Sequence, residues 1–224
     1  MIYRLLTGQM TPEEAVGLLV ALIFGITVHE FSHALAATWL GDPTPGRQGR
    51  LTLQPAAHLE LYGSLMFLIG GFGWGKPVQY NPYALRTNPR TGGAIIAVAG
   101  PLSNFILALI ITVFVRILPF VFGASMFEIA SSSGSDGILF NLLVNIIYYN
   151  LVLCFFNLLP VAPLDGFSIL LGLLPPELAD RFEVTRQYGM FILILLLVAG
   201  SSILVPVLYG PIDRLLLLLI GGRF

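Results

Sequence analysis

Charge is scarce in this chain. Asp, Glu, Lys and Arg make up 10% of the 224 residues and 56% are hydrophobic, whereas a soluble domain carries about 25% charged residues. So few charges cannot cover a globule in water, and with a mean hydropathy of +0.87 the expected solvent is lipid. Cysteine is nearly absent: Cys154 stands alone in an apolar run, which excludes an intrachain disulfide and a multi-cysteine zinc site. No Lys/Arg-rich tract is present and the formal net charge is −1, which argues against a phosphate-binding surface and nucleic acid. Internal repeats and low-complexity segments are missing too. The first apolar run has no convincing small-residue cleavage site before it, so it is expected to stay as a spanning helix.

What is there is a set of long apolar runs. Residues 14–40 form the first, long enough for the roughly 20 helical residues that a bilayer core requires. Thr11-Pro12-Glu13-Glu14 is a helix start and Gly41-Asp42-Pro43 a stop. Further spans are expected at 92–118, 137–159 and 188–209, with Gly100-Pro101 as an interrupter inside the second. Residues 61–75 are apolar but short and hold five glycines, which suits a re-entrant or sheet-like membrane segment. Arg50-Leu51-Thr52-Leu53 alternates like a strand. The final run, Leu215 to Ile220, is too short to span and is expected to lie along the surface or pack on the bundle. The fold class is therefore an α-helical polytopic membrane protein of four to six transmembrane segments with a small β or re-entrant region. One domain is expected over 1–224, with a catalytic core near 14–175.

Threading these spans places Arg47, Arg50, Lys76, Arg86, Arg90, Arg181 and Arg186 on one side and Arg4, Arg116, Arg214 and Arg223 on the other. Seven against four makes the first side cytoplasmic. The expected location is the cell membrane of a prokaryote.

The chemistry lies inside the first span, in His29-Glu30-Phe31-Ser32-His33. On a helix, residues i and i+4 share a face, so both imidazoles can reach one metal ion, and Glu30 is placed to take a proton from a water that the metal activates. Two histidines and a glutamate in lipid without partners would cost several kcal/mol, so a metal, with zinc the expected ion, is the better reading. A catalytic zinc needs a third protein ligand. Only Glu30, Asp165 and Glu128 are acids near the apolar zone. Asp165 either caps a helix beginning at Gly166 or turns inward to the metal, and its depth, matching that of the histidine pair, favours the ligand. Asn104 and Asn157 lie within spans. They either bond between helices or stabilise charge and orient a substrate backbone near the metal. His58 reads as a surface or sheet-packing histidine, with support of the metal site as the second reading. Gly73-Trp74-Gly75-Lys76-Pro77-Val78 offers an extended edge for a substrate strand, or an interfacial anchor.

These motifs, in this order, resemble the site-2 proteases, intramembrane zinc metalloproteases. The resemblance covers roughly 22–171. It rests on His29-Glu30-x-x-His33, the run at 73–78, Asn81-Pro82 with Arg86-x-x-Pro89-Arg90, Gly100-Pro101-x-x-Asn104, and Asn157-x-x-Pro160 leading to Leu164-Asp165-Gly166. It implies zinc held by His29, His33 and Asp165, with Glu30 as catalytic acid/base and Asn157 and Asn104 assisting. It also implies a transmembrane protein substrate, cut near the cytoplasmic face, and a minimal form without PDZ or CBS domain. One departure is local: where the family often has His-Leu-Asp-Pro-x-Gly, this chain has His58-Leu59-Glu60-Leu61-Tyr62-Gly63. Two rival functions fit parts of the pattern: a catalytically silent relative acting as scaffold or chaperone, and a metal transporter. The intact Glu30 argues against the first, and the lack of repeat symmetry against the second.

Overall fold

The computed structural model describes residues 7–8, 11–70, 73–198 and 205–221. Helix α1 runs Pro12–Trp39 and ends where the sequence expects. Gly41 has φ +108°, and the Gly41 and Asp42 amides bond back to the carbonyls of Thr38 and Ala37 at 3.0 and 3.1 Å. This is the paired closing pattern of a left-handed glycine stop, which satisfies carbonyls the helix leaves open. The next residue of use is Asp42, fully buried. Its carboxylate accepts from the Thr44 amide (3.0 Å), the Thr44 hydroxyl (2.6 Å) and the Asn81 amide (2.6 Å), so one side chain pins the loop after α1 to the loop before the next span.

Helix α2, Leu61–Gly70, occupies the short glycine-rich segment. At 1.5 Å per residue its ten residues reach about 15 Å, half a bilayer core. Glu60 starts it by accepting from the Gly63 amide at 2.6 Å, so glutamate supplies the turn here without the family's Asp-Pro pair. The β-like alternation at 50–53 does not become a strand. Among the described residues the β pairing is a single antiparallel bridge, Leu59 to Gly75. The alternating residues instead form bends that wrap a buried arginine.

Helix α3, Pro89–Phe122, starts on an Asn88 cap and runs unbroken through Pro101 and Pro119. The interruption expected at Gly100-Pro101 therefore does not break the helix. Ser103 Oγ donates back to the Gly100 carbonyl at 2.7 Å, one residue before the proline. A short helix, α4 (Met126–Ser131), opens on a capping box between Ser125 and Glu128, which uses Glu128 at a surface turn away from the metal candidates. Helix α5 covers Ser135–Asn157, and a turn-rich tail leads to α6 (Asp165–Leu173), followed by α7 (Pro176–Glu183), α8 (Gly189–Val198) and α9 (Gly210–Ile220).

Helices α1, α3 and α5 pack against one another, with α6 laid on α3. Among the described residues these three, at 15–39, 89–122 and 135–157, are the helices long and apolar enough to cross a membrane. The fourth expected span, 188–209, begins as α8, and its middle, 199–204, lies outside the described residues. The final apolar run packs on the bundle. Ile212 and Ile220 join Ala108, Val115, Leu118, Ile129, Phe140, Ile147 and Leu151 in the main core. Arg116 of α3 closes that helix by donating to the Leu219 and Leu218 carbonyls at 2.7 and 2.9 Å, a cation at a helix C-terminus.

The distribution of polarity follows from lipid as solvent. Phe114, Phe120, Val113 and Phe191 face outward, whereas Thr27, His29, His33, Asn104, Thr112 and Asn150 are buried between the helices. Trp39 and Tyr83, near one end of the bundle, are strongly exposed, as interfacial aromatics are.

Burial opposes ionisation of Asp42, but bonds from the Thr44 hydroxyl, the Asn81 amide and the Thr44 amide hold its carboxyl below the usual range. A lowered folded pKa contributes stability above the unfolded value of about 3.9, lost as pH falls through the folded value. Asp42→Ala is therefore expected to lower the thermal midpoint in detergent by about 2–4 °C at neutral pH, with the gap to the native protein closing in strong acid. Equal midpoints at pH 7 would remove Asp42 as the clamp.

Candidate metal centre

Helix periodicity brings His29 and His33 to one face of α1, and both side chains are buried. Each ring is fixed from behind. His29 Nδ1 lies 2.6 Å from Asn104 Oδ1, and His33 Nδ1 lies 2.7 Å from the Ile96 carbonyl, both on α3. Both oxygens can only accept, since Asn104 Nδ2 is itself spent on the Gly25 carbonyl (3.0 Å) and Asn150 Oδ1 (2.8 Å). Each Nδ1 therefore carries the proton, and each Nε2 presents a lone pair.

The two Nε2 atoms face each other at 3.0 Å. Asp165 completes the group: its Oδ2 is 3.0 Å from His29 Nε2 and its Oδ1 3.3 Å from His33 Nε2. Two nitrogen lone pairs and a carboxylate converging at such distances repel unless a cation lies among them. Asp165 Oδ2 is buried with no hydrogen-bond partner, as expected of a ligand oxygen. All three ligand atoms lie within 4.8 Å of one another, and two nitrogens with one oxygen suit zinc with a position open to substrate. The residues present fit a metal ion.

Local sequence explains how Asp165 arrives. The tail 158–164 contains Pro160 and Pro163 and turns the chain back after α5. Asp165 is the first residue of α6, whose N-cap, Leu164, makes no side-chain cap. Its carboxylate thus turns to the imidazoles rather than capping the helix. Gly100 of α3 allows the approach from the other side. A Cβ there would lie 2.4 Å from His33 Nε2 and 2.7 Å from His29 Cε1, so any side chain would enter the space the ligand atoms share.

Glu30, next to His29, lies within electrostatic reach of His29, His33 and Asp165. Its Oε2 is buried without a hydrogen bond and sits 3.9 Å from Arg50 Nη2. Burial pushes the Arg50 guanidinium below its ordinary pKa, and Glu30 opposes that shift.

Of the two amides expected near the site, Asn104 touches a histidine and is fully buried. Asn157 ends α5, where its amide nitrogen donates to the Leu153 carbonyl at 2.9 Å. Among the described residues no hydrogen bond joins it to the trio. His58 is fully buried, not on the surface, and its Nε2 lies 2.6 Å from the Thr52 carbonyl. It braces the loop that carries Arg50.

Two residues near the centre escape sequence reasoning. Asn150 supports Asn104 from α5, and in the sequence it is one of four asparagines of that helix with nothing to set it apart. Arg50 looks like one more loop cation, and nothing adjacent in sequence signals its burial.

The model of Peptidase family M50 matches residues 17–198. A Bacillus subtilis (strain 168) protein named as a zinc metalloprotease, YwhC, is 39% identical over 201 residues, covering 89% of each chain. Proteins named as the zinc metalloprotease Rip2 are 28% identical: one from Mycolicibacterium smegmatis over 85% of this chain and 71% of its own, and one from Mycobacterium tuberculosis over 88% and 74%. No solved structure gives a significant match. With the family matched over most of the chain and a relative of 39% identity spanning nearly all of it, the chain belongs to peptidase family M50, the site-2 protease family, and is a membrane-associated zinc metalloprotease.

Proposed function

We propose that this protein is an intramembrane zinc endopeptidase that cuts transmembrane segments of other membrane proteins. The observation that carries the proposal is the convergence of His29 Nε2, His33 Nε2 and Asp165 within a bundle of apolar helices. His29 and His33 lie six to ten residues before the end of α1, which puts them roughly 9–15 Å along the helix from that end. By the excess of basic residues on that side, the end is cytoplasmic. The membrane is the cell membrane of a prokaryote, and 1–224 act as one domain.

His29, His33 and Asp165 would hold a zinc ion, which would supply Lewis acidity toward a water and the scissile carbonyl. Glu30 takes the proton of that water and returns it to the leaving amine. Asn104 keeps the His29 ring in one tautomer and one orientation, through a bond that Asn150 and the Gly25 carbonyl steady in turn. Asn157, eight residues before Asp165, releases its helix carbonyl to bind the substrate backbone. A helical peptide bond is shielded by its own hydrogen bonds, so the substrate unwinds locally. The backbone at 73–78 then receives it as an added strand.

Glu30→Gln is expected to retain about one zinc per chain yet lose about 10²–10⁴-fold in cleavage of single-span substrates by the purified protein in detergent. A chelator should abolish cleavage and zinc should restore it. Retained cleavage in the variant would remove Glu30 as base. A silent scaffold or a transporter predicts no cleavage by the native protein on any substrate panel, with zinc bound.

Asn104→Ala is expected to weaken zinc binding about 10–100-fold, read by titration against a competing chelator, with helix content unchanged. Unaltered affinity would show that the Nδ1 contact does not set the ligand's orientation.

A further inference from the structure

Arg50 stands apart from everything the ligand set requires. It lies in the loop after α1, yet its side chain is 4% exposed, against 12% for Glu30. An arginine is almost never buried unless paired, and the partners here are informative. Its Nη1 donates to the Ala57 carbonyl and its Nη2 to the Lys76 carbonyl. One planar fork thus joins two stretches of backbone from either side of α2, a geometry an ammonium cannot reproduce. The same two stretches are knitted by the Lys76 amide donating to the His58 carbonyl at 2.7 Å and by the Leu59–Gly75 bridge. His58 braces the loop from within through the Thr52 carbonyl.

With its terminal nitrogens committed to carbonyls, the guanidinium is left facing Glu30 at 3.9 Å. That is beyond hydrogen-bond length but within direct charge contact in a desolvated pocket. Glu30 Oε2 has no other partner. On its other side, Glu30 faces Gly75, since a Cβ there would sit 3.2 Å from Oε1. The carboxylate is therefore confined between a fixed cation and a fixed backbone, without a hydrogen bond that would tie up its lone pairs.

We propose that Arg50 is a positioning residue: held by the Ala57 and Lys76 carbonyls, its guanidinium fixes Glu30 against Gly75. The inference rests on the reading of Glu30 as the base. It assigns to the loop an electrostatic task that the zinc ligands do not perform. A plain staple would hold the loop equally well whatever occupied position 30.

The test uses full-length protein loaded with zinc, comparing native, Arg50→Gln and Arg50→Lys. Arg50→Gln is expected to keep about one zinc per chain and a KM within about threefold of native, while kcat falls on the order of 10²-fold, as for a misplaced reacting group. Arg50→Lys restores the charge without the fork and is expected to recover part of kcat. A native kcat in zinc-loaded Arg50→Gln, or a loss entirely in KM, would overturn the proposal. A second measurement needs no turnover: the drop in thermal midpoint caused by Arg50→Gln, read in the native and in the Glu30→Gln background. Coupling predicts unequal drops. Equal drops make Arg50 a staple and overturn the assignment. Absence of cleavage by the native protein would count against the protease reading alone, since the paired midpoints still decide the coupling. Should Arg50→Gln fail to fold, the same comparisons are made with Arg50→Lys.

Discussion

Two imidazole nitrogens and a carboxylate pointing at one another inside a lipid-facing bundle form the constraint on which the rest depends. In water such a group would be screened, but between apolar helices it is repulsive unless a cation resides there. Every polar residue buried around it follows from that need. Asn104 and the Ile96 carbonyl consume the far nitrogens of the rings, so that lone pairs point inward. Asn150 and the Gly25 carbonyl consume what Asn104 has left. The chain thus places a small polar core within an otherwise apolar bundle, the inverse of a soluble fold's layout; the rings and amides are satisfied by one another, whereas Asp165 Oδ2 and Glu30 Oε2 are left without a hydrogen bond.

The sequence made much of this legible. A His-x-x-x-His spacing on a helix needs no tertiary information to predict a shared face, because the helical repeat sets it. The three long spans could be read from length and apolarity, since lipid leaves the backbone few alternatives. Asp165 could be nominated because acids at membrane depth are rare. What failed to show depended on packing. The Gly100-Pro101 pair reads as a break, yet α3 continues, because the absence of a side chain at position 100 serves the imidazoles rather than a turn. The alternation at 50–53 reads as a strand, but among the described residues no partner strand lies beside it, and the Arg50 side chain is buried instead. The pairing of Asn104 with Asn150 joins residues 46 apart in the chain, which no local pattern encodes.

The loop between α1 and α3 proves to be more than a connection. Asp42 ties its start to Asn81, and Arg50 joins its middle to Lys76. These two charged side chains shape a polar cap over the end of the bundle where the histidines lie. A cap built from buried charges is rigid in register, because shifting either end leaves an ion without its partners. The short helix α2, apolar and outward-facing, lies between the two stretches that Arg50 joins.

Asp165 emerges from the ribosome long after the histidines and is separated from them by two complete spanning helices. A chain made as far as α3 already holds both rings, their hydrogen-bond supports on α3 and Glu30. It does not hold the carboxylate that closes the ligand set. On the proposed assignment the ligand set is complete only once α5 and the tail 158–164 have been made. In this sense the order of ligands along the polypeptide works as a timing device.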